Sequence, residues 1–169
     1  GGEPLDGIEA IADWLVRLLD AAGVERATVA GHSMGALAAL ESAARHPDRW
    51  RALALLGVAA KMPVHPDLLA AAEANDPAAA EMVVAWGHGP RAQLGGNAAP
   101  GVWTTGSAMR LLERARPGVL HTDLAACNAY ARGGEAAGQV RCPTLLLLAA
   151  RDRMTPAKAG RALAQALPA

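Results

Sequence analysis

The sequence predicts an α/β protein, with parallel strands flanked by helices and a helical cap insertion in the middle of the chain. Three observations predict it. Short continuous apolar runs at residues 27–30, 52–56 and 144–149 have the length and make-up of buried strands. A serine between two glycines, Gly31-His32-Ser33-Met34-Gly35, joins the first run to an alanine-rich helical pattern. Residues 60–139 then change character, with prolines and glycines breaking up short helical patches. The order strand, helix, strand, insertion, strand, helix implies crossover connections between parallel strands. The unalternating apolar runs imply a sheet covered on both faces.

Taken in order, residues 6–22 read as an amphipathic helix, with Ile8, Ile11, Leu15, Leu18, Leu19 and Ala22 on one face. Asp6 followed by Glu9 has the form of a capping box, and Gly23 stands where a left-handed C-cap is needed. The strand 27–30 breaks into the serine motif, the helix 36–45 follows, and His46-Pro47 stops it. A second strand, 52–56, ends at Gly57. Within the insertion, helices are expected at 67–74, 78–86, 107–114 and 122–131. Loops are expected at Trp86-Gly87-His88-Gly89-Pro90 and from Gly95 to Gly101. Strand 144–149, a polar turn through Asp152 and a helix over 157–167 close the chain. The organisation is therefore core at 1–59, cap at 60–139 and core again at 140–169.

The chain has 169 residues, enough for one domain with a real core, and 52% of them are apolar. Sixteen basic residues balance sixteen acidic ones, so there is no basic field of the kind nucleic acids attract. No apolar run reaches the roughly 20 residues a bilayer span needs. Cys127 and Cys142 are the only cysteines and match neither a disulfide framework nor a zinc site. They read as free buried thiols of a reducing compartment, so a cytoplasmic protein without metal or organic cofactor is expected. Oligomeric state is not legible.

The serine motif carries the chemistry. A serine between a strand end and a helix start must turn the chain sharply, and glycines two residues to either side remove Cβ atoms that would clash. The bend lifts the Ser33 hydroxyl above the sheet and aims the Met34 backbone N–H at an incoming carbonyl oxygen, where it can stabilise an oxyanion. His32 reads as a packing residue, because neighbours on a sharp elbow point apart. Asp152 follows the last strand, at the carboxyl end of the sheet, where a carboxylate can orient a histidine. The competing role for Asp152 is to cap the turn before Pro156 or to pair with Arg151 or Arg153.

Gly31-His32-Ser33-Met34-Gly35, then His46-Pro47-Asp48-Arg49, then Cys142-Pro143-Thr144 leading to Arg151-Asp152-Arg153-Met154-Thr155-Pro156, together resemble the α/β-hydrolase superfamily. The resemblance is closest to bacterial esterase-like members with a helical lid. It implies a partial α/β-hydrolase fold with Ser33 as nucleophile, Met34 as one oxyanion donor and Asp152 as acid. It also implies strands ahead of the first helix, a second oxyanion donor among them, and a catalytic histidine on a loop beyond residue 169. His46 falls at the wrong end of the sheet, while His65, His88 and His121 fall in the insertion and precede Asp152. A fragment of a longer reading frame, inactive alone and poorly soluble through an unpaired strand edge, is thus expected.

The expected reaction of the intact enzyme is transfer of an acyl group from a small-molecule ester to water through an acyl-enzyme. Thioesterase, carbon–carbon hydrolase, acyltransferase and perhydrolase chemistries would use the same serine. A non-catalytic ligand- or partner-binding relative is the alternative from another class. Trp86, Trp103, Met82, Met109 and Tyr130 are candidates to line an apolar pocket, with core packing as the competing role.

Overall fold

The computed structural model describes residues 4–96, 99 and 101–168. Helix α1 (Ile8–Ala21) buries Ile8 and Ala12 and leans Ile11, Leu15 and Leu19 on the core. Its N-cap is Gly7, and no side chain caps it. The expected Asp6–Glu9 capping box does not form, because Asp6 lies one position too early to reach the first-turn amides. The C-terminus matches expectation: Gly23 has φ +67°, Val24 N–H bonds Leu19 C=O at 2.9 Å, and Gly23 N–H bonds Asp20 C=O at 3.1 Å. Those paired bonds are a Schellman motif.

Strand β1 (Ala27–His32), helix α2 (Met34–Arg45), a 3₁₀ turn at Pro47–Arg49 and strand β2 (Trp50–Leu56) follow. These two strands are longer than the apolar runs suggest, since backbone pairing carries Gly31, His32 and Trp50 into the ladder, with Arg51 at a register shift. After six further helices among the described residues comes β3 (Thr144–Leu147), then α9 (Ala157–Ala164). The sheet order is β1-β2-β3 and both pairings are parallel. Ala30, Ala54 and Leu145 stand in register, as do His32, Leu56 and Leu147. β1 thus lies at one sheet edge, with only β2 beside it among the described residues.

Helix α2 is the centre of the core. Every residue from 36 to 43 is buried, which its alanines allow by letting neighbours approach closely. The polar groups it buries have partners, except that Glu41 Oε1 makes no hydrogen bond and has only nearby arginines. Trp50 Nε1–H donates to Ser42 Oγ at 3.1 Å, and Ser42 Oγ donates to the Ala12 carbonyl at 3.1 Å. Glu41, fully buried, accepts a 2.7 Å hydrogen bond from the Tyr130 hydroxyl at one oxygen and has Arg132 at 3.3 Å from the other.

Among the described residues the helices cover one face of the sheet, where both faces were expected to be covered. Burial alternates along β1 and β3, and Leu145 and Leu147 are 55% and 48% exposed on one face. Alanine-rich runs such as 27–30 look continuous in sequence, yet Ala30 is exposed and only alternate positions meet the helices.

Residues 60–139 hold α3 (Pro66–Glu73), α4 (Pro77–Gly87), α5 (Pro90–Gln93), α6 (Thr104–Glu113), α7 (Val119–Ala129) and α8 (Gly133–Gln139). Four of these lie near the expected helices, each starting one to three residues earlier. Proline at the first position of α3 and α4 nucleates rather than breaks them. α4 runs through Trp86 and Gly87, so the expected loop there shortens to His88 and Gly89. In the expected loop from Gly95 to Gly101, Asn97, Ala98 and Pro100 lie outside the described residues. Leu68, Ala72 and Ala79 form a second apolar cluster, with Met82, Trp86, Leu120 and Leu124 packed against it. α8 is absent from the expectations. It packs on α2, with Ala136 and Ala137 fully buried in the main core. At its start, a Cβ on Gly133 would overlap the Ala60 carbonyl oxygen and sit 2.8 Å from that residue's Cα, so the chain entering this segment touches the chain leaving it. Among the described residues no helix is long and apolar enough to cross a membrane.

Candidate active site

Ser33 is the single residue between β1 and α2, and its backbone carries the turn with φ 52° and ψ −120°. Among the described residues only Ser33 and Asn75 combine a side chain with positive φ. Such a conformation costs about 1–3 kcal/mol and persists only where neighbours over-determine it. Here they do. Ser33 N–H bonds Leu56 C=O at 2.9 Å, extending the ladder past the strand end, while Ser33 C=O accepts from Ala36 and Leu37 N–H at 2.9 and 3.3 Å.

The two motif glycines have different reasons for being there. A Cβ on Gly31 would overlap the Gly35 carbonyl oxygen and come within 2.7 Å of Ala36 N, all backbone. A Cβ on Gly35 would meet nothing within 4 Å. The expectation that both remove a clash therefore holds for Gly31 only: Gly31's missing side chain is what lets the helix start fold back over the strand. The Ser33 hydroxyl and the Met34 N–H take no hydrogen-bond partner among the described residues. For Met34 the cause is general, since the first amides of a helix have no carbonyl to bond.

Asp152 sits on the turn after β3. Its Oδ1 accepts from Met154 N–H at 2.9 Å and Thr155 N–H at 2.7 Å, so the turn-capping role weighed for it is real. Those bonds fix the carboxylate and leave Oδ2 without a partner. Oδ2 lies beside Gly57, whose φ is +56°; a Cβ there would sit 3.4 Å from Oδ2 and 3.4 Å from His32 Nε2. His32 is accordingly exposed at the sheet rim, not packed in the core as expected, because the alternation of β1 turns it to the open face. It makes no hydrogen bond to Ser33.

Two cavities meet at Ser33. One, of about 350 Å³, is bordered by His32, Ser33, Gly57, His88 and Asp152, so nucleophile and acid candidates share one space. The other, of about 320 Å³, is walled by Met62, Val64, Leu68, Leu124 and Cys127. Trp86, Arg153, Met154 and Thr155 border both. Trp86 is held by an edge-on contact with His65, ring centres 5.6 Å apart. Of the five residues considered for an apolar pocket, Trp86 alone lines these cavities. Tyr130 spends its hydroxyl on Glu41, Trp103 is 70% exposed, Met82 packs in the second cluster, and Met109 faces a separate cavity beside α6.

Cys127 is a buried free thiol, as expected, while Cys142 is only half-buried. Burial first, and the Asp123 charge second, push the Cys127 thiol up to about 11, so it stays protonated and is apolar lining rather than a nucleophile. Of the other histidines, His88 donates Nδ1–H to Val84 C=O at 2.9 Å, and His46 bonds Asp13 at the far end of α2. Among the described residues no group of three His, Cys, Asp or Glu is placed to hold a metal. The lining at Met62, Val64, Leu68 and Leu124 was not singled out from sequence. Nothing in their spacing marks them, because they converge only through tertiary packing.

A strained serine between strand and helix, with a carboxylate across the same sheet rim, is the signature of a hydrolase-type α/β protein. Residues 4–101 match the family described as alpha/beta hydrolase fold, and the chain belongs to it. It is 36% identical over 167 residues to the pimeloyl-(acyl-carrier protein) methyl ester esterase of Chromobacterium violaceum, covering 93% of this chain and 64% of that protein. By structure it is similar to a hydrolase from Pseudomonas aeruginosa PA01, with TM-score 0.81, 24% identity and coverage of 99% of this chain and 62% of that one. The enol-lactonase of Burkholderia xenovorans LB400 superposes with TM-score 0.81 at 23% identity, over 95% of this chain and 61% of that one. At those identities the two structural likenesses show the fold. The chain spans under two thirds of the length of each of these relatives.

Proposed function

We propose that this chain carries the nucleophile and the acid of a serine hydrolase acting on an ester or related acyl carbonyl. The observation that carries the reading is Ser33, held at positive φ between β1 and α2, with an unpartnered hydroxyl in the cavity that Asp152 also borders. The name of one relative, a methyl ester esterase 36% identical to this chain, denotes an acyl carbonyl with an oxygen leaving group, which favours esters.

In this mechanism Ser33 Oγ attacks the carbonyl carbon and its proton passes to a histidine base. Asp152, braced by Met154 and Thr155 N–H, orients that base through Oδ2. The tetrahedral oxyanion accepts from Met34 N–H at the positive end of α2. Collapse expels the alcohol, which takes the proton from the base, and water then releases the acid by the same steps in reverse order. The segment 60–139 acts as a cap, since its Trp86, Leu68 and Leu124 wall the cavity beside Ser33.

Labelling of the full-length protein with a fluorophosphonate tests this. One adduct on Ser33, lost in Ser33→Ala, is expected. No adduct, or one that survives Ser33→Ala, would refute it and favour a non-catalytic binding protein.

A further inference from the structure

The two cavities that meet at Ser33 differ in the charged groups that border them. The one walled by Met62, Leu68 and Leu124 contains no carboxylate. The one that holds Asp152 also carries Arg151 and Arg153, and Arg153 borders both. Neither arginine forms an ion pair among the described residues, in contrast to Arg45, Arg49, Arg110 and Arg132, each of which is paired. Asp152 flanks the two arginines in sequence but does not neutralise either by contact; one of its oxygens is already taken by backbone N–H groups. Among the described residues, two guanidinium groups and one carboxylate border the mouth of the site, a net positive lining. Trp86 and Met154 stand between this mouth and the apolar cavity, since both border each of the two.

From this we infer that the site takes amphiphilic esters, with one apolar arm seated against Leu68, Trp86 and Leu124 and an anionic arm, a carboxylate, sulfonate or phosphate, at Arg151 and Arg153. The inference deepens the serine-hydrolase reading and rests on it for the word ester. The selectivity itself follows from the lining alone. Guanidinium suits such anions because its planar fork donates to two oxygens at once. Both arginines are solvent-exposed, so the preference is modest and salt-dependent.

The test uses full-length protein and three hydrolysis-resistant hexanoic anilides: para-sulfonate, unsubstituted and para-trimethylammonium, with binding followed by calorimetry. The sulfonate should bind about three- to tenfold tighter than the neutral anilide, and the trimethylammonium compound weakest. Raising salt from ~0.05 to ~0.5 M should erase the difference. So should Arg151→Gln with Arg153→Gln, whereas Lys158→Gln, on α9 and bordering neither cavity, should not. Equal binding of the neutral and anionic probes overturns the inference, as does a preference that survives high salt or the double substitution. The salt series on the unaltered protein decides the matter even if the double variant misfolds. Fluorophosphonate labelling is read in parallel. Charge preference without labelling refutes the serine chemistry alone, and labelling without charge preference refutes this selectivity alone.

Discussion

Replacing Gly31 by alanine attacks the one contact on which the serine turn depends. The added Cβ would overlap the Gly35 carbonyl oxygen, reach that residue's carbonyl carbon at 2.5 Å and Ala36 N at 2.7 Å. None of these atoms belongs to a flexible side chain, so relief requires moving the first turn of α2. That turn is tied to Ser33 C=O by two hydrogen bonds and runs into eight consecutive buried residues. Overpacking without an escape route costs about 3 kcal/mol, the upper part of the usual range. For a domain of this size that lowers the melting temperature by roughly 6–12 °C. Gly35→Ala is the internal control. Its Cβ meets nothing within 4 Å, and it sits in a helix, where alanine gains up to about 1 kcal/mol over glycine. Thermal unfolding of both variants, followed by circular dichroism, should therefore separate two glycines that a motif treats as equivalent. A Gly31→Ala protein melting within ~2 °C of the parent would refute the steric argument. So would a Gly35→Ala protein that loses as much.

Tyr130→Phe removes the hydroxyl that donates to buried Glu41 and should cost about 2 kcal/mol, read as a lower urea midpoint at unchanged slope. Gly133→Ala should destabilise as well, by about 1–3 kcal/mol in the same assay, since its Cβ would be driven into Ala60 backbone. Asp13 gives a pH signature. The hydrogen bond to His46 is the largest cause, with Arg45 adding to it against a burial cost, and together they hold its carboxyl below the ordinary 3.8. A carboxyl depressed on folding stabilises the protein above its unfolded value and loses that contribution as pH falls through its folded one. The stability difference between parent and Asp13→Asn should thus shrink as pH falls below ~4. A difference independent of pH would refute the pairing.

The serine turn and the position of the Asp152 carboxylate were legible because they are local: five residues define the turn, and one polar turn after an apolar run places Asp152 at the rim of the same cavity. What escaped the sequence depends on distant neighbours. Gly133-Gly134 reads as a breaker, yet Gly133 is required where α8 passes Ala60, and that close approach cannot be seen along the chain. Asp6 and Glu9 have the spacing of a capping box, but the helix starts after Gly7, shifting the pattern out of register. The alanines of β1 are apolar enough to suggest burial and small enough to tolerate exposure, so they could not report which face the described helices cover. Trp86 was one of five equivalent candidates until the fold put it, and not Trp103 or Tyr130, beside Ser33.

The touch between Ala60 and Gly133 has an evolutionary consequence. Everything from α3 to α7 leaves and re-enters the sheet-bearing body at adjoining points, like a pendant on a closed ring. Such a module can change in length at its outer helices, α3 to α6, with the three strands and the Ser33 turn kept, since among its helices only α7 lends residues, Ala126 and Cys127, to the main core.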